Sequence, residues 1–432
     1  MHKRPNESVK IPQASGARLI AACTIGNAFE FYDFLIFSFF AATIGKLFFP
    51  VGNPTAQLML ALATYGVGFV LRPLGGLLLG AYADRYGRRK ATILTLMLMA
   101  LGTCMIGLAP TYAQAGILGP LVVVVGRLIQ GFSAGGEIGA STTLLAESAP
   151  PARRGFYGSW QLASQGLAVI VAASAAGLVF SRLPPEAVES WGWRAPFLLG
   201  VLIVPVGLWL RSAIGETYAG EAERGVESEL APVGRVVRDY GRDILTGVAL
   251  AMGGAAANAV VVLYMSTYAV RQLHMPPATA LIAGIVSGLM TLLVAPLSGW
   301  LSDRYGRKTM PAIASLAMAL LIYPGFVILN IVPTLPALIA VVAALSAINA
   351  FGGAPALLLL TEIFPARVRA TGMALVYAIG VTIFGGFGQF FVTWLIKATG
   401  DPLAPAFYVI ACVLLAFPAL ALMRDMTRKT LD

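Results

Sequence analysis

Apolar residues along this chain come in long blocks rather than in strict alternation. Reading the blocks against their polar breaks places twelve segments at roughly 18–45, 56–82, 91–109, 117–147, 156–181, 195–212, 243–270, 278–302, 310–330, 335–360, 371–397 and 403–423. Each is about 20 residues or more, enough for a helix to cross a hydrocarbon core of ~30 Å. Helices are the expected spanning element, because backbone polar groups must be satisfied inside the bilayer. Unbroken apolar runs with weak alternation argue against an outer-membrane barrel.

Composition sharpens this reading. Of 432 residues, 58% are hydrophobic and 12% charged, and the mean hydropathy is +0.80. A soluble domain would need more polar surface, so the lipid bilayer is an expected partner. The net charge of +10 could suggest nucleic acid, yet the basic residues sit in short loops and no nucleic-acid partner is expected. Arg85, Arg88, Arg89 and Lys90, then Arg153 and Arg154, then Arg304, Arg307 and Lys308, then Arg367 and Arg369 fall on one side. The other side carries scattered charges such as Lys46, Arg182, Arg271 and Lys397, so the positive-inside rule predicts both termini in the cytoplasm.

The first 18 residues read as a short basic tail, followed by an apolar segment too long and too charged for a cleavable signal. Cys23, Cys104 and Cys412 lie far apart in apolar segments, and with His2 and His274 they offer no metal cluster or disulfide framework. No G-x-x-x-x-G-K-[ST] loop is present and no nucleophile stands beside a base, so neither a cofactor nor an enzyme activity is predicted.

A long polar stretch, about 213–242, carries charges of both signs and separates six segments from six. It predicts a six-helix bundle over 1–212, a cytoplasmic linker over 213–242 that is partly amphipathic helix, and a second bundle over 243–432. The two bundles repeat. "GAYADRYGRRK" (80–90) follows the second segment and "GWLSDRYGRKT" (299–309) the eighth; "LLAESAPPARRG" (144–155) follows the fourth and "LLTEIFPARVRATG" (359–372) the tenth. Internal repeats of six spans are a transporter architecture, with the substrate site near the midplane between the repeats.

These duplicated loops and the twelve-span layout resemble the major facilitator superfamily over essentially the whole chain. "GNAFEFYDF", "RPLGG", "RLIQGFSAGGEIG", "WGWRAPF" and "TEIFPARVRATG" resemble its metabolite:proton symporter branch. That resemblance implies import of organic acids or zwitterionic osmolytes. It implies an all-α membrane protein of two pseudo-symmetric six-helix halves, resident in the inner (plasma) membrane.

An ionisable residue in a span costs ~2.5–3.5 kcal/mol on insertion scales, so it is a functional candidate by default. Glu30 and Asp33 are neighbours on one helix face. Two close carboxylates in low dielectric cannot both stay ionised cheaply, so the pair is a candidate proton carrier, with Glu137 as a third carboxylate; the alternative is a fixed ion pair with Arg72 or Arg127. Arg127, Gln130, Ala134 and Glu137 form one stripe on the fourth segment. Arg127 is the expected anion ligand, by bidentate binding of a carboxylate, unless it is locked to Glu137 or Asp33. Arg72 could bind substrate or anchor its span. Gln161, Gln165, Tyr264, Asn349 and Gln389 are weaker ligand candidates, since lone polar residues in spans often bond a neighbouring helix.

In the loops, basic side chains and the N-terminus of the next helix can satisfy Asp84 and Asp303. Gly87 and Gly306 permit the reversal. With Arg85, Arg88, Arg153, Arg304, Arg307 and Arg367 they either only fix orientation or, as the resemblance implies, form a cytoplasmic latch, to which Glu147 and Glu362 add gate charges. The expected function is therefore symport of a proton and a small organic anion, with di- and tricarboxylates such as citrate ahead, by rocking of one half on the other. A zwitterionic osmolyte such as proline or betaine is the alternative substrate, and a non-transporting receptor on the same scaffold the alternative class. A monomer is expected, since one chain contains both halves of a site.

Overall fold

The computed structural model describes residues 16–147, 149, 153–201, 205 and 233–423. The tail up to residue 15 and most of the expected linker lie outside the described residues. So do the side chains of Glu30, Asp84, Arg88, Glu137, Glu147, Glu362 and Arg367.

Every regular element among the described residues is a helix, and helices cover the described parts of the expected segments, several of them as two or three consecutive helices. The third segment is Arg88–Leu108, the fourth Leu118–Glu147, the fifth Arg154–Arg182, the ninth Thr309–Ile331, the tenth Leu335–Glu362 and the twelfth Ala404–Leu422. The sixth opens as Arg194–Gly200 before leaving the described range. Among the described residues, eight helices are long and apolar enough to cross a membrane on their own, and counting each of two bent pairs as one span makes ten. Leu316, Leu320 and Tyr323 form an exposed stripe, whereas Asp33, Arg127, Gln130 and Gln389 are buried. Apolar outside and polar inside is the arrangement a lipid solvent selects.

Two expectations are corrected. The first segment is not one helix over 18–45: Asn27–Phe39 and Ala41–Phe48 meet at 62°. Phe40 leaves helical geometry at the joint, and its buried ring stacks on Phe180 at 5.1 Å, so packing holds the bend. The eleventh is bent by 44° at Phe387, whose ring sits where a side chain at Gly66 of the second segment would go. The last ten residues assigned to the linker, which was expected to be partly helical, open the helix Val233–Asn258, which is interrupted at Tyr240 just before the seventh segment.

Small residues set the closest helix contacts. A Cβ on Gly155 would lie 2.5 Å from the Gly299 carbonyl, and one on Gly166 2.6 Å from that of Gly288. The fifth and eighth segments are thus seamed along their length. The second and fourth meet in the same manner, with Gly131 against the Gly68 carbonyl and Gly135 against that of Arg72. Such approaches need glycine because any side chain would separate the backbones.

Candidate functional site

The second, fourth and first segments converge on one buried cation. Arg127 is fully buried on the fourth. Its Nη1 donates to Gln130 Oε1 at 3.0 Å, one turn along the same helix, and its Nη2 donates to the Tyr65 carbonyl at 3.2 Å. The guanidinium lies 4.7 Å from the ring centres of both Phe34 and Phe37, and 4.9 Å from that of Tyr65. Room for it comes from Gly68, where a Cβ would come within 3.2 Å of Nε. Three aromatic faces offset part of the desolvation of a buried charge. No carboxylate lies within ion-pair distance of it among the described side chains, where the ion pair found is Lys46 with Glu189.

Asp33 is also fully buried, and it is joined to Arg127 through two other side chains. Thr103 Oγ1 hydrogen-bonds Asp33 Oδ2. The same oxygen accepts from Gln130 Nε2 at 2.9 Å and lies 2.9 Å from the Met99 carbonyl. The sequence Asp33, Thr103, Gln130, Arg127 is therefore continuous across the first, third and fourth segments. Asp33 Oδ1 has no hydrogen-bond partner among the described residues, nor has Arg127 Nε. Gly200 of the sixth segment closes over Oδ1, since a Cβ there would overlap it.

Arg72 stands beside this network. Its guanidinium lies 3.9 Å from the Phe69 ring centre and 4.5 Å from that of Phe34, so Phe34 is shared by both arginines. Gln161 does not reach the network: its Nε2 donates to Asn27 Oδ1 at 2.9 Å, tying the fifth segment to the first. Gln165, one turn on, and Asn349 are only partly buried. Gln389 is buried on the eleventh segment, its Oε1 accepting from Ser38 at 3.0 Å. Tyr264 is buried at the end of a π-helical stretch, Ala259–Tyr264.

At the basic loops, Gly87 and Gly306 adopt φ of 90° and 102°, as a tight reversal requires. Asp303 has the basic neighbour expected of it, Arg307, but meets a different helix N-terminus from the one expected. It accepts from the Gly155 N–H at 2.7 Å and the Phe156 N–H at 3.0 Å, so it caps the fifth segment rather than the helix that follows it. Arg304 lies over the Trp300 ring at 4.0 Å and Arg85 over that of Tyr86 at 5.4 Å. Arg307 is buried, whereas Arg153 is exposed at the start of the fifth segment.

Comparison with known proteins decides the family. The Major Facilitator Superfamily model matches residues 20–324 and 247–431. The chain belongs to that superfamily. Among curated relatives, a citrate-proton symporter of Klebsiella pneumoniae is 37% identical over 398 residues, covering 92% of this chain and 89% of the relative. A proline/betaine transporter of Salmonella typhimurium is 31% identical over 402 residues, covering 91% and 80%. Among solved structures, the xylose transporter XylE from E. coli in a partially occluded inward-open conformation superposes with a TM-score of 0.75 at 19% identity, covering 96% of this chain and 99% of that one. As a superfamily member the protein is a multi-pass membrane transporter, not an enzyme.

Within this superfamily fold, sequence reasoning found Asp33, Arg127 and Gln130 but missed Thr103 and Gly68. Thr103 had a weak signal: it is a hydroxyl inside an apolar helix. Gly68 had a better one, because it belongs to a Gly-x-Gly in the second segment, and its carbonyl meets Gly131 of the fourth.

Proposed function

We propose that the protein is a proton-coupled symporter that imports a small organic acid, a di- or tricarboxylate such as citrate, across the inner membrane. The observation that carries this is the buried chain from the Asp33 carboxyl to the Arg127 guanidinium. A cation held by aromatic faces and neutral acceptors, with Nε unpartnered, is suited to take a substrate carboxylate. Relatives named citrate-proton symporters, 37% and 34% identical, support the same substrate class.

Thr103 has one proton and two acceptors within reach, which gives the coupling its logic. When Asp33 is ionised, the Thr103 hydroxyl donates to it. The negative charge then polarises Gln130 through Thr103, and Gln130 Oε1 holds Arg127 more strongly. When Asp33 is protonated, its own O–H donates to Thr103, and the Thr103 proton turns to the Met99 carbonyl. Gln130 then holds Arg127 less, and the guanidinium turns to the substrate. Protonation outside and deprotonation inside would couple the two fluxes. In this reading the Asp303 carboxylate, which accepts from the Gly155 and Phe156 N–H groups, acts as a latch that holds the basic-loop side closed.

In this reading the two six-helix bundles, 1–212 and 243–432, rock about the midplane, both termini are cytoplasmic, and a monomer is the working unit. Glu30 and Glu137 share the proton pathway with Asp33, and Glu147, Glu362, Arg367, Asp84 and Arg88 belong to the gate. A second reading, symport of a zwitterionic osmolyte, is favoured by relatives named proline/betaine transporters at 31% identity. Counterflow in proteoliposomes separates them. Labelled citrate taken up without competition from betaine supports the acid reading; betaine or proline uptake without citrate uptake overturns it in favour of the osmolyte.

A further inference from the structure

On the face away from the basic loops, a cavity of about 100 Å³ opens between the second, seventh and eleventh segments. It is lined by Thr55, Tyr264, Arg271, Thr393 and Lys397, among others. Two cations therefore face one small space. Arg271 Nη2 donates to Thr55 Oγ1 at 3.3 Å, and neither Arg271 nor Lys397 has a carboxylate within ion-pair distance among the described residues. On this same face Lys46 is paired, with Glu189, so unopposed charge is not the rule here.

The cavity also has a direction. Lys397, Thr393 and Gln389 recur every four residues on the helix Gly388–Thr399, so they stack on one face from the surface inward. Thr393 Oγ1 donates to the Gln389 carbonyl at 2.8 Å, and Tyr264, nearly fully buried, supplies the facing wall. Gln389 is fully buried, and while its Oε1 accepts from Ser38, its Nε2 has no hydrogen-bond partner among the described residues. An amide N–H left without an acceptor in a dry interior is costly unless an acceptor arrives. Ser38 lies on the first segment, one turn beyond Phe34, the ring that both Arg72 and Arg127 stack upon. The column thus runs from surface cations, past hydroxyls, to a buried donor at the edge of the central network.

We propose that Arg271 and Lys397 form an outer binding site for carboxylate anions, which hands the substrate along Thr393 and Gln389 toward Arg127. The site rests on the organic-acid reading above and adds where the anion first lands. Two cations at the rim of a narrow cavity raise the local anion concentration and the capture rate, and they do so more at low ionic strength. A monovalent or zwitterionic solute gains little from the pair, whereas a tricarboxylate gains most.

The test is uptake of labelled citrate into proteoliposomes at low and high salt, for the wild type and for Arg271→Gln, Lys397→Gln, the double variant, and the charge-preserving pair Arg271→Lys with Lys397→Arg. Arg182→Gln, an exposed charge on the same face, is the control. The expected result for the double variant is a KM raised roughly three- to tenfold at low salt, with the maximal rate within about twofold and the salt dependence flattened. The charge-preserving pair and the control keep the wild-type KM. Wild-type citrate uptake with an unchanged KM in the double variant overturns the outer site alone. A fall in maximal rate at constant KM also overturns it, by making the two residues structural. If the wild type takes up no carboxylate, the organic-acid reading falls, and the outer site with it.

Discussion

Asp33 and Arg127 meet through two intermediaries, Thr103 and Gln130, and each junction is a hydrogen bond. A direct ion pair would hold both charges in one arrangement. A relay with a hydroxyl in it has two arrangements, because Thr103 cannot donate to Asp33 and to the Met99 carbonyl at once.

Replacing Thr103 by Val keeps the volume and removes the switch, leaving Gln130 Nε2 and Asp33 Oδ2 without their shared partner. Each unpaired group costs about 1–3 kcal/mol. The expected outcome is a loss of proton-driven accumulation of tenfold or more, with Thr103→Ser close to wild type. Accumulation ratios under an imposed pH gradient measure this, and a Val variant that accumulates normally removes Thr103 from the coupling path.

Asp33→Asn fixes the relay in one state. Uphill accumulation should vanish while exchange of internal for external substrate partly survives, and the exchange rate should no longer vary with pH. If exchange and accumulation disappear together, Asp33 holds the architecture rather than the proton.

Glycine positions give stability predictions of opposite sign. Gly200→Ala places a Cβ on Asp33 Oδ1, an overpacking that costs about 1–3 kcal/mol and displaces the carboxyl. Gly254 lies in the helix Val233–Asn258 with nothing near its Cβ position, so Gly254→Ala should raise stability by up to about 1 kcal/mol. Thermal unfolding in detergent compares the two, and a Gly200→Ala protein as stable as wild type contradicts the packing described for Asp33.

Asp303→Ala removes the acceptor of the Gly155 and Phe156 N–H groups. A lost cap is worth about 1 kcal/mol, which shifts a two-state equilibrium roughly fivefold. Thiol labelling of a cysteine placed on the basic-loop side should speed up by about that factor, and unchanged labelling would show that the cap does not latch the closed state.

What could be read before the fold was known follows a physical rule. Asp33, Arg127 and Gln130 stand out because polar side chains are expensive in an apolar block, and the repeated Asp-Arg-x-Gly loops stand out because a reversal needs glycine at positive φ. Thr103 does not stand out, since a hydroxyl can satisfy itself on its own helix and threonines are scattered through most spans. The bend at Phe40 is equally silent, being made by one apolar ring among many. Asp303 was legible as a capping carboxylate, but its partner on the fifth segment was not, because only the tertiary approach of Gly155 and Gly299 brings that N-terminus within reach. The Tyr65 carbonyl on Arg127 carries no trace in residue identity at all.

The seam between the fifth and eighth segments limits what inheritance can do with this protein. At Gly155, Gly166, Gly288 and Gly299 the atom that would begin any other side chain is already occupied by the opposite backbone. Drift at these four sites has nowhere to go, while the aromatic walls around Arg127 can be resized one ring at a time. New substrates are therefore to be sought in lineages that alter Phe34, Phe37 or Tyr65 and leave the seam untouched.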